Sequence, residues 1–224
     1  AHHGLGQLRM RAQPHAPRLL EGSIVVQVAL TLMLLLGSVL TVRSFGRLLA
    51  VDPGFRTQGV FTAKISVPGS KYRSTRLVDA MQQIVVRSAA IPGVHAAAAV
   101  FGLPFSGDNG SSPFEIVDQP KREGDPERHA EYRVVSGDYF RAMGIPVVRG
   151  RVFTLDDRGG APNVVLIDER LARQYFGDAD PVGRRVEHLG SPTGNVWTIA
   201  GVVGAVMRNE LGEGHNATIY YHLP

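Results

Sequence analysis

The chain has 224 residues, 24 Lys and Arg against 20 Asp and Glu for a net charge of +4, and no cysteine. That length fits one or two domains. The basic excess is scattered from Arg9 to Arg208 and is almost all Arg, with Lys only at Lys64, Lys71 and Lys121. A nucleic-acid surface would gather its cations on one face or in runs, so this pattern argues against one. The absence of cysteine excludes thiol nucleophiles, zinc ribbons and a disulfide framework.

Residues 1–20 hold Pro14, Pro17 and the pair His2-His3 without periodicity, and read as a lead-in. Ser23 to Val42 then runs without a charge, with Gln27 its most polar side chain. An α-helix crosses about 30 Å of hydrocarbon in roughly 20 residues, and this stretch has no polar stripe of the kind a soluble amphipathic helix carries. A cleaved signal peptide is the competing reading. Its apolar region spans only about 7–15 residues and ends in small residues, whereas here the run enters Arg43-Ser44-Phe45-Gly46-Arg47. The sequence therefore favours an uncleaved anchor. Its orientation stays open on charge alone, because Arg9, Arg11 and Arg18 before the span balance Arg43, Arg47 and Arg56 after it.

The helical spacing continues through Phe45, Leu48 and Leu49 until Asp52-Pro53-Gly54 stops it. A helix over residues 22–51 would stand about three turns beyond the hydrocarbon as a stalk. Phe45, Leu48 and Leu49 would be its packing edge and its candidate mechanical coupling residues. Gly59 to Val67 alternates and is predicted as a strand. Ser74 is the predicted N-cap of a helix to Ala90, with Leu77, Met81, Ile84, Val85 and Ser88 on one face. Residues 95–101 complete one predicted β-α-β unit. From 104 to 158 the predicted elements are strands at 114–117, 132–135 and 146–153, with a short helix Asp138–Met143 capped by Ser136 and closed by Gly144. The last segment repeats the first pattern. It has a buried strand at 163–167, a helix at 168–176 with Leu171 and Tyr175 inward and Gly177 at its end, and strands at 197–206 and 218–221. Two β-α-β-like units flanking a β-rich insertion give an α+β fold class.

The motifs of catalysis are absent from the sequence: no GxxxxGK[ST] phosphate loop, no HExxH, no GxSxG and no SxxK. The chain is therefore expected not to be an enzyme, with no catalytic, cofactor or metal residues. Asp156-Asp157 and Asp178-Ala179-Asp180 are its best carboxylate pairs. Both sit between Gly and Pro, where Asp serves turns, and the turn reading is preferred to a cation site. His95, His129, His188, His215 and His222 are isolated in sequence.

The order of segments resembles the MacB-like periplasmic core domain of FtsX-type ABC permeases, and most of all the second half of the duplicated acidobacterial orphan permeases. The likeness is carried by Arg43-Ser44-Phe45, Val51-Asp52-Pro53-Gly54-Phe55, Ile91-Pro92-Gly93-Val94 and Leu103-Pro104-Phe105-Ser106-Gly107. It continues through Asp138-Tyr139-Phe140-Arg141-Ala142-Met143-Gly144-Ile145-Pro146, Asp180-Pro181-Val182-Gly183-Arg184 and Ile199-Ala200-Gly201-Val202-Val203. The resemblance implies a cytoplasmic lead-in over 1–20, a transmembrane helix and stalk over 21–52, and an extracytoplasmic core domain over 57–224. Within that domain, 57–103 and 159–224 would be porter-like and 104–158 an inserted subdomain.

It further implies residence in the bacterial cytoplasmic (inner) membrane, with the C-terminal domain outside. The implied partners are the lipid bilayer, further permease spans beyond this sequence, a cytoplasmic ABC ATPase that would bind the ATP, and a second permease copy or pseudo-dimer half. The implied function is coupling of ATP hydrolysis to export or release of a substrate outside the membrane. A membrane-tethered binding or sensor module is the alternative.

Overall fold

The computed structural model describes residues 16–65, 74–107, 110–122, 124–136, 138–157, 163–188, 196–207 and 217–223. The chain divides into two units, Ala1–Ala50 and Val51–Pro224. Among the described residues the first holds the helix α1 (Ala16–Leu49). It begins earlier than expected and ends just before Asp52-Pro53, where proline cannot continue a helix. Residues 1–15, with His2, His3 and Pro14, lie outside the described residues.

The second unit contains α2 (Ser74–Ala89), β1 (Val100–Phe101), β2 (Ser111–Ile116), β3 (His129–Val135), α3 (Tyr139–Met143) and β4 (Val147–Gly150). These are followed by β5 (Val164–Asp168), α4 (Glu169–Phe176), β6 (Arg185–His188), β7 (Val196–Val203) and β8 (Thr218–His222). The eight strands of the described residues share one sheet. Its pairings run β2–β3, β3–β8, β8–β5, β5–β7, β7–β6 and β6–β2, so six strands close into a ring. β1 and β4 attach to the ring through β3 and β7. Closure leaves the six strands without a free edge between them.

The interior follows from alternation along the strands. One cluster takes Phe114 and Ile116 from β2, Ala130 from β3, Val165 and Ile167 from β5, Val186 from β6, Ile199 and Val202 from β7, and Ile219 from β8. Every strand of the ring contributes, which makes this the barrel core, and Leu171 and Phe176 of α4 join it. A second cluster takes the intervening residues Val135, Leu166, Val203 and Tyr220 and covers them with Tyr139, Phe140 and Met143 of α3 and with Ile145. β5 and β8 are thus buried on both faces, which explains the unbroken apolar run of β5 at Val164–Ile167.

Several local expectations are met. α4 answers the helix expected over 168–176, with Asp168 as its cap instead of its first residue, accepting the Leu171 N–H at 2.7 Å. Gly144 ends α3 in the left-handed conformation, with Ile145 N–H returning to the Phe140 carbonyl at 2.8 Å.

Others are corrected. Residues 59–65, the described part of the strand predicted over 59–67, form no strand, and Phe61 is 92% exposed. An alternating pattern is realised as a strand only where a neighbour supplies a ladder, and none pairs here among the described residues. Only Val100–Phe101 of the strand predicted over 95–101 is paired, so the first β-α-β unit is not formed among these residues. α3 begins after Asp138 instead of Ser136. Ser136 is buried, and its hydroxyl accepts the Ala99 N–H. β6 was not expected at all. Its four residues, Arg-Val-Glu-His, send only Val186 into the core, too short a signal to show alternation. β2 and β3, from the 104–158 segment, lie in one sheet with β5–β8 from 159–224.

Candidate functional site

Two stretches are candidates for the functional site, the apolar helix α1 and, within the second unit, residues 52–56. Within α1, the hydroxyls of Thr31, Ser38 and Thr41 each donate to the carbonyl four residues earlier, on Gln27, Leu34 and Gly37, at 2.8 Å. In hydrocarbon a polar group must be satisfied internally, and these are satisfied by the helix's own backbone. Glu21–Leu49 is long and apolar enough to cross a bilayer.

The predicted coupling residues all fall in the last turns of α1. Phe45, Leu48 and Leu49 are 60%, 38% and 65% exposed. At about 100° per residue they share one edge, and Arg43 and Arg47 fall on the opposite one. The end of the helix therefore presents an apolar edge and a basic edge, and the apolar one is open to lipid or to another protein element.

The residues after α1 form a clamp that the sequence reading took only as a helix stop. Asp52 Oδ1 accepts the Gly54 N–H at 2.9 Å, closing a tight turn. The Pro53 carbonyl accepts the Met207 N–H at 2.9 Å, and the Arg56 N–H donates to the Met143 carbonyl at 2.6 Å. Between these two bonds Gly54 has φ +79°, and a Cβ there would lie 2.0 Å from the Ala205 carbonyl oxygen. Only glycine fits both the conformation and the approach. The Phe55 ring stands 6.0 Å from that of Phe105 and packs on the cluster covered by α3. Residues 53–56 thus hook onto the body of the second unit within seven residues of the end of α1. The signal was present in Asp-Pro-Gly-Phe, but its binding partners at 143 and 205–207 are far along the chain.

Beneath α3 lies a buried polar group on β3, β5 and β8. Glu131, Arg133, Asp168 and Thr218 are all buried. The register sets Glu131 opposite Thr218 and Arg133 opposite Tyr220. Arg133 Nη2 stands 3.9 Å from Glu131 Oε2. Burial pushes the Asp168 carboxyl up to about 7, against the opposing influence of the Leu171 N–H, the Thr218 N–H and hydroxyl, and Arg133. A carboxyl whose folded pKa exceeds its unfolded value stabilises the fold most when protonated. That contribution is full below about pH 4 and disappears as pH rises through about 7. Asp168→Asn keeps an oxygen for the Leu171 N–H and cannot titrate. Wild-type unfolding free energy should therefore fall relative to this variant by up to about 1.4 kcal/mol per pH unit between pH 4 and 7. Urea unfolding across that range checks it; parallel curves for the two proteins would contradict the assignment.

The other singled-out polar residues serve local structure. Asp157 accepts from both guanidinium nitrogens of Arg151 at 2.7 Å and from the Thr154 N–H at 2.7 Å, and Arg151 holds its pKa down to about 2. Asp180 Oδ1 accepts the Val182 N–H at 3.1 Å. The His188 ring bridges Ser112 and the Tyr221 hydroxyl, each at 2.9 Å. His215 lies outside the described residues.

The profile of the MacB-like periplasmic core domain family matches residues 22–224. The chain belongs to that family. It is therefore the periplasmic-type domain of an ABC transporter permease. Over 83 residues it is 32% identical to the macrolide export ATP-binding/permease protein MacB of Chromobacterium violaceum, a stretch that is 37% of this chain and 12% of that relative. Among solved structures, the periplasmic region of MacB from Actinobacillus actinomycetemcomitans is similar at 17% identity and TM-score 0.44, covering 64% of this chain and 55% of the other. The extracellular domain of the noncanonic ABC-type transporter YknZ from Gram-positive bacteria is similar at 17% identity and TM-score 0.41, covering 64% and 62%. Family membership and the apolar helix fit a membrane protein with an extracytoplasmic domain.

Proposed function

We propose that this chain is the first span and extracytoplasmic domain of an ABC transporter permease that relays cytoplasmic ATP hydrolysis to export or release of a substrate outside the membrane. The observation that carries this reading is the continuity of the family match, which runs unbroken from residue 22 in the apolar helix to residue 224. A separate ATPase would bind the ATP, further spans would complete the permease, and a second copy or pseudo-dimer half would complete the assembly. In this reading Phe45, Leu48 and Leu49 pass motion from the span toward the hook at Pro53, Gly54 and Arg56.

Topology gives the direct test. The chain has no native cysteine, so single cysteines at Gln13 and at Arg87, which is exposed on α2, can be probed in spheroplasts with a membrane-impermeant thiol reagent. Position 87 should label in intact spheroplasts, and position 13 only after permeabilisation. The reverse pattern would place the domain in the cytoplasm and remove the proposal.

A further inference from the structure

The polar group beneath α3 occupies one face of the sheet. Side chains at alternate positions of a strand share a face, so Glu131 and Arg133 of β3, Thr218 and Tyr220 of β8 and Asp168 of β5 lie together on the face that α3 covers. Arg133 is the direct cross-strand neighbour of Tyr220, and Glu131 of Thr218. The Thr218 N–H and hydroxyl in turn bond to the Asp168 carboxyl. Tyr139 reaches the same patch from α3, its ring 6.3 Å from that of Tyr220.

Four atoms of this patch are buried and meet no partner in hydrogen-bond geometry among the described residues: Arg133 Nη1, the Tyr139 hydroxyl, Asp168 Oδ2 and the Tyr220 hydroxyl. None of these four residues is more than 3% exposed. Burial raises the pKa of both tyrosines and of Asp168, and the Arg133 charge opposes the rise at all three. That common influence places the other three groups around one guanidinium. A buried polar atom left unpaired costs the fold its full desolvation penalty. Four of them on neighbouring register positions point to one shared partner.

The donor set says what that partner is. Arg133 Nη1 only donates, an ionised Asp168 Oδ2 only accepts, and a tyrosine hydroxyl does either. A water molecule donates two hydrogen bonds and accepts two. It can accept from Arg133 and one tyrosine while donating to Asp168 and to the oxygen of the other tyrosine. With Asp168 protonated, the water accepts from Arg133 and Asp168 and donates to both tyrosines, so the match holds in either state. An anion would be drawn by Arg133, but Glu131 Oε2 already stands 3.9 Å from that guanidinium, and Asp168 brings a second carboxyl. A neutral ligand with both donors and acceptors suits the patch, and buried waters typically make about three such bonds.

We infer that one buried water joins Arg133, Tyr139, Asp168 and Tyr220 and ties α3 to β3, β5 and β8. Because Asp168 also caps α4, the same water links α3 to the first turn of α4. The test uses the full chain in dodecyl maltoside, with thermal unfolding followed by the fluorescence of Trp197, the sole tryptophan, in β7. Tyr139→Phe and Tyr220→Phe each remove one hydrogen bond to the water and keep the ring, and each should lower the midpoint by about 2–4 °C. The double variant should lose less than the sum of the two, because both act on one water. An unchanged or raised midpoint in either single variant would mean that its hydroxyl has no partner, and would overturn the site. Fully additive losses would overturn the sharing of one water. Replacing chloride by gluconate at fixed ionic strength should leave the wild-type midpoint where it is. A chloride-dependent midpoint that Tyr220→Phe abolishes would overturn water in favour of an anion. Should a Phe variant fail to fold, the wild-type protein decides. A crystal structure that resolves ordered solvent should place one water within about 3.2 Å of at least three of the four atoms. Direct contact between the Tyr220 hydroxyl and Asp168 in its place would overturn the inference.

Discussion

Replacing Leu48-Leu49-Ala50 by Gly-Ser-Gly in the complete transporter is expected to abolish transport while the partner ATPase continues to turn over. A span can drive a domain only through an element that moves as a unit, and a continuous helix does so because its backbone hydrogen bonds are internal. α1 runs unbroken from Ala16 to Leu49. Gly46 is the one glycine in residues 43–51, at a cost of about 1 kcal/mol relative to alanine, which a long helix tolerates. Two further glycines and the loss of the Leu48–Leu49 edge would uncouple its last turn. Insertion depends on residues 23–42 and the barrel core on residues after 110, so both should survive, with the Trp197 unfolding midpoint as the check. Gly54→Val should uncouple from the other side of the joint, because its side chain cannot fit against the Ala205 carbonyl. The competing reading makes 43–49 an interfacial anchor with Arg43 and Arg47 in the headgroups. Normal transport by the Gly-Ser-Gly variant would establish that reading and end the coupling proposal.

Phe140→Ala should destabilise the second unit by about 3–5 kcal/mol, the range for removing a buried aromatic side chain. Phe140 is only 6% exposed. Its ring meets those of Tyr139, Tyr220 and Phe153 at 5.4, 5.1 and 6.3 Å. The cavity would open against Tyr220, which is locked between β3 and β5 and cannot collapse into it. For a domain of this size the midpoint should fall by roughly 6–20 °C. An unchanged midpoint would mean that α3 does not cover the barrel as described.

The sequence by itself determined what depends on near neighbours. An uncharged run of twenty residues specified the span, since hydrocarbon accepts a helix of that length whatever follows it. Gly144 after Met143 and Gly177 after Phe176 marked helix ends because caps act over three or four residues. The apolar run at 163–167 marked a strand buried on both sides. The order of many short motifs was enough to indicate the family. None of these required knowing which strand lies beside which.

Tertiary structure decided the rest. Ring closure depends on β3 pairing with β8 and β2 with β6, residues seventy or more positions apart, and alternation names a strand's faces without naming its partner. The same limit explains residues 59–65, which have the pattern of a strand but no ladder among the described residues. It also explains β6, whose single inward Val186 gives no periodicity. In the sequence Asp168 was only the first residue of a helix, and its burial beside Glu131, Arg133 and Thr218 is what makes its charge costly near neutral pH. Asp-Pro-Gly-Phe was legible as a helix stop, because proline and glycine act locally. It became a clamp only when the fold brought Met143, Ala205 and Met207 to meet it.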